Sequence, residues 1–328
     1  MSPADNTAVS IAEIEYKLPD GVVTNDDLAL QHPDWDMPRV ARRTGVLSRH
    51  IAAPDETALD LAEGAARDVL ARSSLDAEAV SAVVFCTQTP DYILPPNSCL
   101  LQARLGLRQD IPVLDITHAC SGFPYGVSVC SALISDDGVG LLINGDTYSK
   151  IIADDDRSTK TVFGDGAAAT ILRVGSVPGA LRVIDTLHGS SGAGAERFIV
   201  REGGVRVCGR GEPRIAMDGL GMLNFVLEKV PPAIDTLLAR NSLTRGDIDV
   251  WVFHQASQVA IDALRTAMGL DDDRVLLDMA DIGNLVSASV PVCIARARAR
   301  DVFEPGMRIV MAGFGVGLSW AASLAIVE

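Results

Sequence analysis

The chain has 328 residues, of which 48% are hydrophobic, and a formal net charge of −15 at pH 7. This size suits one large domain or two halves of ordinary size, and the negative charge disfavours binding to nucleic acid or to anionic membranes. The sequence lacks the roughly 18 uninterrupted apolar residues of a membrane span, and residues 1–6 lack the basic and apolar regions of an export signal. We therefore expect a soluble, cytoplasmic protein with no membrane partner.

Cysteine and histidine usage gives no sign of a metal site. The six cysteines include no Cys-x-x-Cys pair, and the chain has only five histidines. This pattern favours neither a zinc site nor a disulfide framework, so we expect reduced thiols, no metal and no resident cofactor.

The sequence repeats itself in alternating helix-like and strand-like segments. Residues 70–75 match residues 238–243, and at the same spacing the apolar pair 84–85 matches 252–253. Each copy predicts a helix, a polar turn and then a strand. Two such halves predict an α/β protein made of a duplicated unit, with sheets covered by helices, divided at 1–173 and 174–328. The alternative is chance similarity between segments rich in alanine and valine.

Cys120 lies at a predicted strand-to-helix turn. The apolar residues 111–116 predict a strand, and a helix-like stretch follows Ser121. Free amides and the dipole at a helix N-terminus lower the pKa of a thiol and can bind an oxyanion, which suits a reactive thiolate. The alternative is a buried cysteine that packs as a small hydrophobe.

One histidine follows a predicted strand among polar neighbours. His254 comes directly after residues 251–253 and is the natural acid, base or hydrogen-bond donor. A structural role fits His32, His50 and His188 better, and His118 stays ambiguous.

Asn284 also follows a predicted strand and precedes a run of small residues, although asparagines at turns are common. Because chemistry in α/β units gathers beyond the carboxyl ends of strands, we expect Cys120, His254 and Asn284 to meet at one site. Glycine-rich turns at 163–169 and 313–320 match no nucleotide-binding motif, and amides of the second could face an oxyanion.

Taken together, these motifs resemble β-ketoacyl-ACP synthase III of the thiolase superfamily. The resemblance rests on residues 119–123, 254–256, 283–289 and the two glycine turns, is strengthened by residues 43–45 and 49–57, and covers essentially the whole chain. It implies a thiolase fold, in which duplicated halves form a five-layered αβαβα sandwich, and usually a homodimer.

The resemblance also implies a reaction. Cys120 would take an acyl group from a CoA thioester, and His254 and Asn284 would bind the carbonyl of a malonyl-type thioester, stabilising the enolate formed on loss of carbon dioxide. Backbone amides of Cys120 and Val316 would form a second oxyanion hole. The acceptor could be bound to acyl carrier protein.

Residues of the CoA site and the acyl pocket are implied in the same way. Trp35 and Arg157 match the pair that holds the adenine of CoA, and Arg43 matches a nearby contact. Leu94 matches the residue that a neighbouring subunit inserts at the pocket floor.

The chain departs from the family pattern at several positions. Val316 replaces a usual glycine, and the segment between Trp35 and Arg43 is longer than usual. Asn224, Ser257 and Val259 stand where the family commonly has Lys, Asn and Arg facing pantetheine and the carrier protein. Because the carrier is acidic, these changes favour a specialised, polyketide-like pathway with a different acceptor.

Three other readings stay open. A papain-like cysteine hydrolase has the same order of Cys, His and Asn but lacks the local signature around the cysteine. An acyltransferase that passes the acyl group from Cys120 to a hydroxyl or amine keeps the fold and changes the reaction. A non-catalytic partner subunit is the third reading, although it would not need Cys120, His254 and Asn284 together. The acyl chain and the acceptor are not fixed by these motifs.

Overall fold

The computed structural model describes residues 9–135, 138–207 and 211–328. The expected lack of an export signal at residues 1–6, and the expected reduced state of Cys208, concern residues outside these segments. The other five cysteines are free thiols.

The strands and helices alternate along the chain as the sequence predicts. The strands are β1 (Val9–Lys17), β2 (Val22–Thr24), β3 (Ser48–His50), β4 (Val80–Cys86), β5 (Val113–Ile116), β6 (Val139–Asp146), β7 (Gly166–Val174), β8 (Leu181–Ser190), β9 (Phe198–Val200), β10 (Ile215–Met217), β11 (Val250–Phe253), β12 (Arg308–Gly315) and β13 (Ser319–Val327). The helices are α1 (Asn25–Gln31), α2 (Met37–Thr44), α3 (Ala58–Arg72), α4 (Asn97–Leu105), α5 (Gly122–Ser131), α6 (Arg157–Lys160), α7 (Gly219–Arg240), α8 (Gln258–Met268) and α9 (Ser289–Arg298).

The two halves of the chain have the same strand topology. In the first half β4 pairs in parallel with β5 and β6, and β6, β7 and β1 continue antiparallel. In the second half β11 pairs in parallel with β12, and β12, β13 and β8 continue antiparallel. In the second half, a parallel bridge between Trp251 and Val275 takes the place that the pairing of β4 with β5 has in the first half. The predicted duplication is therefore confirmed.

A short antiparallel contact between β1 and β8 joins the two halves. Within the described residues, the resulting sheet has the order β11-β12-β13-β8-β1-β7-β6-β4-β5. The register pairs Ser10 with Arg182 and Ile11 with Leu181. The carboxyl ends of β4, β6, β11 and β12 carry the segments that form the candidate site.

Helices cover both sheet regions and fill the space between them. Helices α5 and α9 pack in a central apolar cluster that contains residues such as Val127 and Val292. Helices α3 and α4 cover the outer face of the first half, and α7 and α8 cover that of the second. These are the five layers of the predicted αβαβα sandwich, which is confirmed.

Continuous burial explains the sequence of the central elements. All eight residues of β6 and all seven of β4 are buried, as expected for strands covered on both faces. The apolar halves of α5 and α9 reflect the same two-sided burial. The division of the chain at 173/174 stays a prediction. Among the described residues, no helix is long and apolar enough to cross a membrane.

Candidate active site

Cys120 sits in a tight turn between β5 and α5. Residues 119–121 form a short 3-10 helix there, and Ala119 adopts φ 39°, a left-handed conformation that is strained for a residue with a side chain. The cysteine is buried, with 4% of its surface exposed. Its position at the strand-to-helix turn matches the sequence prediction.

The end of β12 packs directly against this cysteine. A Cβ atom added at Gly313 would lie 2.4 Å from the carbonyl oxygen of Cys120, and one at Gly315 would lie 3.0 Å from its Sγ. Only glycine permits such a close backbone approach at these two positions. The C-terminal glycine turn therefore forms one wall of the cysteine site.

Two backbone amides reach the sulfur of Cys120. Its own N–H and that of Val316 lie close enough to the sulfur to lower the thiol's pKa. Burial and the nearby charge of Asp146 act in the opposite direction and raise the pKa to about 12. The expected lowering of the thiol's pKa at the helix terminus is therefore wrong for the free protein, because desolvation outweighs the amides. Cys120 is a neutral thiol in this state.

His254 and Asn284 lie side by side in the buried interior. The Nε2 atom of His254 is 3.4 Å from the Nδ2 atom of Asn284. The exposed fractions of the two residues are 2% and 3%. Burial lowers the pKa of His254 to about 3, so the imidazole is neutral.

The carboxamide of Asn284 is held in one orientation. Its Oδ1 accepts hydrogen bonds from the N–H of Val286 at 2.9 Å and from the hydroxyl of Ser289 at 3.2 Å. With the oxygen occupied, the NH₂ group faces His254. The pair can therefore offer an amide donor and an imidazole nitrogen to the same small group.

The first glycine turn fixes the backbone of Asn284. The N–H of Asn284 donates to the carbonyl of Val162 at 2.9 Å, and the N–H of Gly164 donates to the carbonyl of Asn284 at 3.1 Å. A Cβ atom at Gly164 would lie 2.2 Å from the carbonyl oxygen of Ile282. The motif at 163–166 thus positions the asparagine.

The three predicted catalytic residues come to one region. Val286, two residues after Asn284, packs in the same apolar cluster as Cys120. His254 makes an edge-to-face contact with Phe314, which lies between the two glycines that touch Cys120. The cluster beside Cys120 also contains Tyr148, Phe163 and Phe198, with the side chain of Val316 packed against it.

Sequence reasoning missed Asp146, a buried carboxylate at the end of β6. It is the last residue of a fully buried strand, next to the strand-end position that singled out His254. Burial raises its pKa to about 6.

Of the two residues expected to hold adenine, one lies in a loop and one at the start of a helix. The ring of Trp35 stacks on His32 with centroids 3.8 Å apart, so one face is already covered. Arg157 is exposed at the start of α6. Their binding of CoA stays a prediction.

The other predicted substrate residues lie at the surface or at helix starts. Arg43 is exposed in the last turn of α2, and Asn224 is exposed on α7. Ser257 caps α8 by accepting from the N–H of Ala260 at 3.3 Å. Leu94 is 79% exposed. Their roles, and the homodimer, stay predictions. In the described segments, no group of three or more His, Cys, Asp or Glu is placed to hold a metal ion.

A repeated α/β half with a buried cysteine, histidine and asparagine at the strand ends is the arrangement of thiolase-fold condensing enzymes. A model of the family described as 3-Oxoacyl-[acyl-carrier-protein (ACP)] synthase III matches residues 114–192. A second model, of the C-terminal part of that family, matches residues 238–326. The chain is 33% identical over 320 residues to the β-ketoacyl-[acyl-carrier-protein] synthase III of Oleidesulfovibrio alaskensis, covering 93% of this chain and 95% of the relative.

Solved structures agree with the family models. A crystal structure of a 3-oxoacyl-(acyl-carrier-protein) synthase III has a TM-score of 0.92 and 38% identity, covering 97% of this chain and 99% of the other. The priming β-ketosynthase of a polyketide biosynthetic pathway has a TM-score of 0.89 and 27% identity, covering 100% and 98%. The chain belongs to the β-ketoacyl-ACP synthase III family, as its motifs predict.

Proposed function

We propose that this ketosynthase forms an acyl-enzyme on Cys120 from an acyl-CoA and condenses it with a malonyl-type thioester in a decarboxylative Claisen reaction. The observation that carries the proposal is the buried pair of His254 Nε2 and Asn284 Nδ2, 3.4 Å apart, with the asparagine oxygen already occupied. Two donors at one buried point suit a thioester oxygen that gains charge as carbon dioxide leaves.

The first half-reaction uses the amides at the sulfur. The thiol of Cys120 attacks the thioester carbonyl of the donor. The carbonyl oxygen then gains negative charge and is bound by the N–H groups of Cys120 and Val316, which lie close to the sulfur. The C–S bond of the donor breaks, and the thiol proton passes to the departing CoA sulfur. Acyl transfer thus starts from a neutral thiol and ends with an acyl-enzyme and free CoA.

The second half-reaction uses the His254 and Asn284 pair. The carboxylate of the malonyl-type thioester leaves as carbon dioxide, and the resulting enolate oxygen is bound by the two donors. A neutral imidazole with a proton on Nε2 donates without any change in net charge, which the lowered pKa of His254 favours. The enolate carbon then attacks the acyl-enzyme and releases the sulfur of Cys120.

The partners follow from the reaction. An acyl-CoA donor and a malonyl thioester acceptor are the substrates that the proposed reaction requires. An acyl carrier protein as partner is supported by the names of the relatives, which include it. A specialised pathway is supported by the likeness to a polyketide priming ketosynthase and by the uncharged Asn224 and Val259. A homodimer is supported by Leu94, whose side chain is 79% exposed in the single chain.

One observation favours the alternative, in which the acyl group passes from Cys120 to a hydroxyl or amine. The exposed Asn224 and Val259 give an acidic carrier no positive charge at the positions where the family commonly offers it. A small acceptor would not need such a surface.

Replacing Asn284 separates the half-reactions. In Asn284→Ala, acylation of Cys120 should survive, because the amide acts only on the enolate, while condensation should fall by about 10²–10³-fold. Intact-protein mass spectrometry measures the first step, and product analysis after mixing preformed acyl-enzyme with malonyl thioester measures the second. Cys120→Ala is the control that should lose both. Unchanged condensation in Asn284→Ala would overturn the role of Asn284 in binding the enolate, and the absence of condensation in the wild type would support the non-decarboxylating alternative.

A further inference from the structure

The carboxylate of Asp146 accepts hydrogen bonds from two separate segments. Its Oδ1 accepts from the N–H of Gln88 at 2.7 Å and the hydroxyl of Thr87 at 3.3 Å, just after β4. Its Oδ2 accepts from the hydroxyl of Ser287 at 2.6 Å and the N–H of Ser287 at 3.4 Å, in the other half of the chain. The residue is fully buried.

No cation accompanies this buried charge. The groups that lower the pKa of Asp146 are hydrogen-bond donors, with no lysine, arginine or histidine among them in the described segments. The titratable groups that face it are Cys86, Cys120 and Tyr148, and for each of them the Asp146 charge favours the protonated form. A buried carboxylate without a cation is costly, and a neutral residue could pack here at lower cost.

Ser287 connects Asp146 to the proposed enolate site. It lies in the short 3-10 turn between Val286 and Ala288. Val286, directly before Ser287, and Ser289, two residues after it, donate to the Oδ1 of Asn284. A shift of this turn would move both donors and release the carboxamide from the orientation that faces its NH₂ toward His254.

The internal repeat supports a role specific to the site. Strands β6 and β12 hold equivalent places in the two halves. β12 ends at Gly315, which lies against the sulfur of Cys120, and β6 ends at Asp146, which lies against Ser287. Each of these two strands thus ends beside a helix start that carries one part of the site. Of the two, only β6, which ends beside Ser287, ends in a charged residue.

We propose that Asp146 is a positioning residue that, through Ser287, orients Asn284 for the condensation step. This inference rests on the proposed function, because it assigns Asn284 to the enolate. The orienting role is separable from acylation, since Asn284 is not assigned to the incoming acyl group.

Two variants and a control test the proposal. In Ser287→Ala the condensation of preformed acyl-enzyme should fall at least about tenfold, by loss of orientation, while formation of the acyl-enzyme on Cys120 keeps the wild-type rate. In Asp146→Asn condensation should also fall, since a neutral amide accepts a hydrogen bond from Ser287 less strongly than a carboxylate does. Intact-protein mass spectrometry measures acylation, and product analysis measures condensation.

Ser323→Ala is the matched control. Ser323 is about as buried as Ser287, and its hydroxyl lies 2.9 Å from that of Thr186 on β8. Its variant should condense at the wild-type rate. A fall equal to that of Ser287→Ala would show general loosening and overturn the orienting role.

The outcomes also separate this inference from the proposed function. If Ser287→Ala condenses at the wild-type rate while Asn284→Ala does not, the orienting role of Asp146 is overturned and the proposed function stands. If Asn284→Ala also condenses normally, the assignment of Asn284 to the enolate fails, and the inference about Asp146 fails with it. If the wild type forms the acyl-enzyme but does not condense it with malonyl thioester, the proposed function itself fails. Should Asp146→Asn not fold, Ser287→Ala, which keeps the carboxylate, decides the orienting role alone.

Discussion

The buried, neutral state of His254 makes the stability of the protein depend on pH in a predictable way. Burial lowers the pKa of His254 from 6.5 to about 3. Below pH 6.5 the imidazole of His254 binds a proton in the unfolded chain but not in the folded chain, so the free energy of unfolding falls as the pH falls. The slope is about 1.4 kcal/mol per pH unit, which gives a loss of about 2 kcal/mol between pH 6.5 and pH 5.

Asp146 contributes with the opposite sign over part of this range. Its pKa is raised from 3.8 to about 6, so the folded chain takes up a proton before the unfolded chain does, and its contribution to stability grows as the pH falls through 6. The wild-type pH profile alone therefore mixes the two groups. A comparison with His254→Asn removes the histidine and leaves the aspartate in both proteins.

Urea unfolding of both proteins at pH 7 and pH 5 measures the difference. Between these pH values the wild type should lose about 2 kcal/mol more free energy of unfolding than His254→Asn. An equal loss in the two proteins would mean that His254 titrates normally in the folded chain. The imidazole would then be charged at mildly acidic pH, and the account of a neutral donor would be refuted.

Two further predictions concern the nucleophile and the donor. Gly315→Ala places a Cβ 3.0 Å from the Sγ of Cys120, so acyl-enzyme formation measured by mass spectrometry should fall about 100-fold or more, whereas Gly192→Ala, with nothing within 4 Å, should match the wild type. Trp35→Ala combined with Arg157→Ala should raise the KM for the CoA donor about tenfold and leave a short N-acetylcysteamine thioester, which lacks adenine, nearly unaffected; equal effects on both donors would contradict a role in binding the nucleotide.

Much of the fold and the catalytic residues could be predicted because they leave local signals. The repeated helix, turn and strand segments predict two equivalent halves, and polar residues after apolar strands predict where chemistry gathers. Cys120 and His254 each follow a strand, whereas the predicted strand directly before Asn284 is absent from the described residues. The structure still brings the three segments to one region. The structure also confirms the predicted layers.

Properties set by the meeting of the two halves could not be predicted. The pKa of Cys120 depends on burial between segments far apart in sequence, so the local helix-terminus argument gave the wrong direction. Asp146 escaped notice because its main partner, Ser287, lies in the other half. The stacking of Trp35 on His32 likewise depends on a turn geometry that their spacing does not define.

Release of carbon dioxide shows directly whether the protein catalyses a decarboxylative condensation. The protein is first acylated on Cys120 with unlabelled acyl-CoA, and a malonyl thioester labelled with carbon-13 at the free carboxyl carbon is then added. We predict one labelled carbon dioxide for each 3-oxoacyl thioester formed, with loss of the Cys120 adduct in equal amount. Transfer of the acyl group to a hydroxyl or amine acceptor without labelled carbon dioxide would contradict the account.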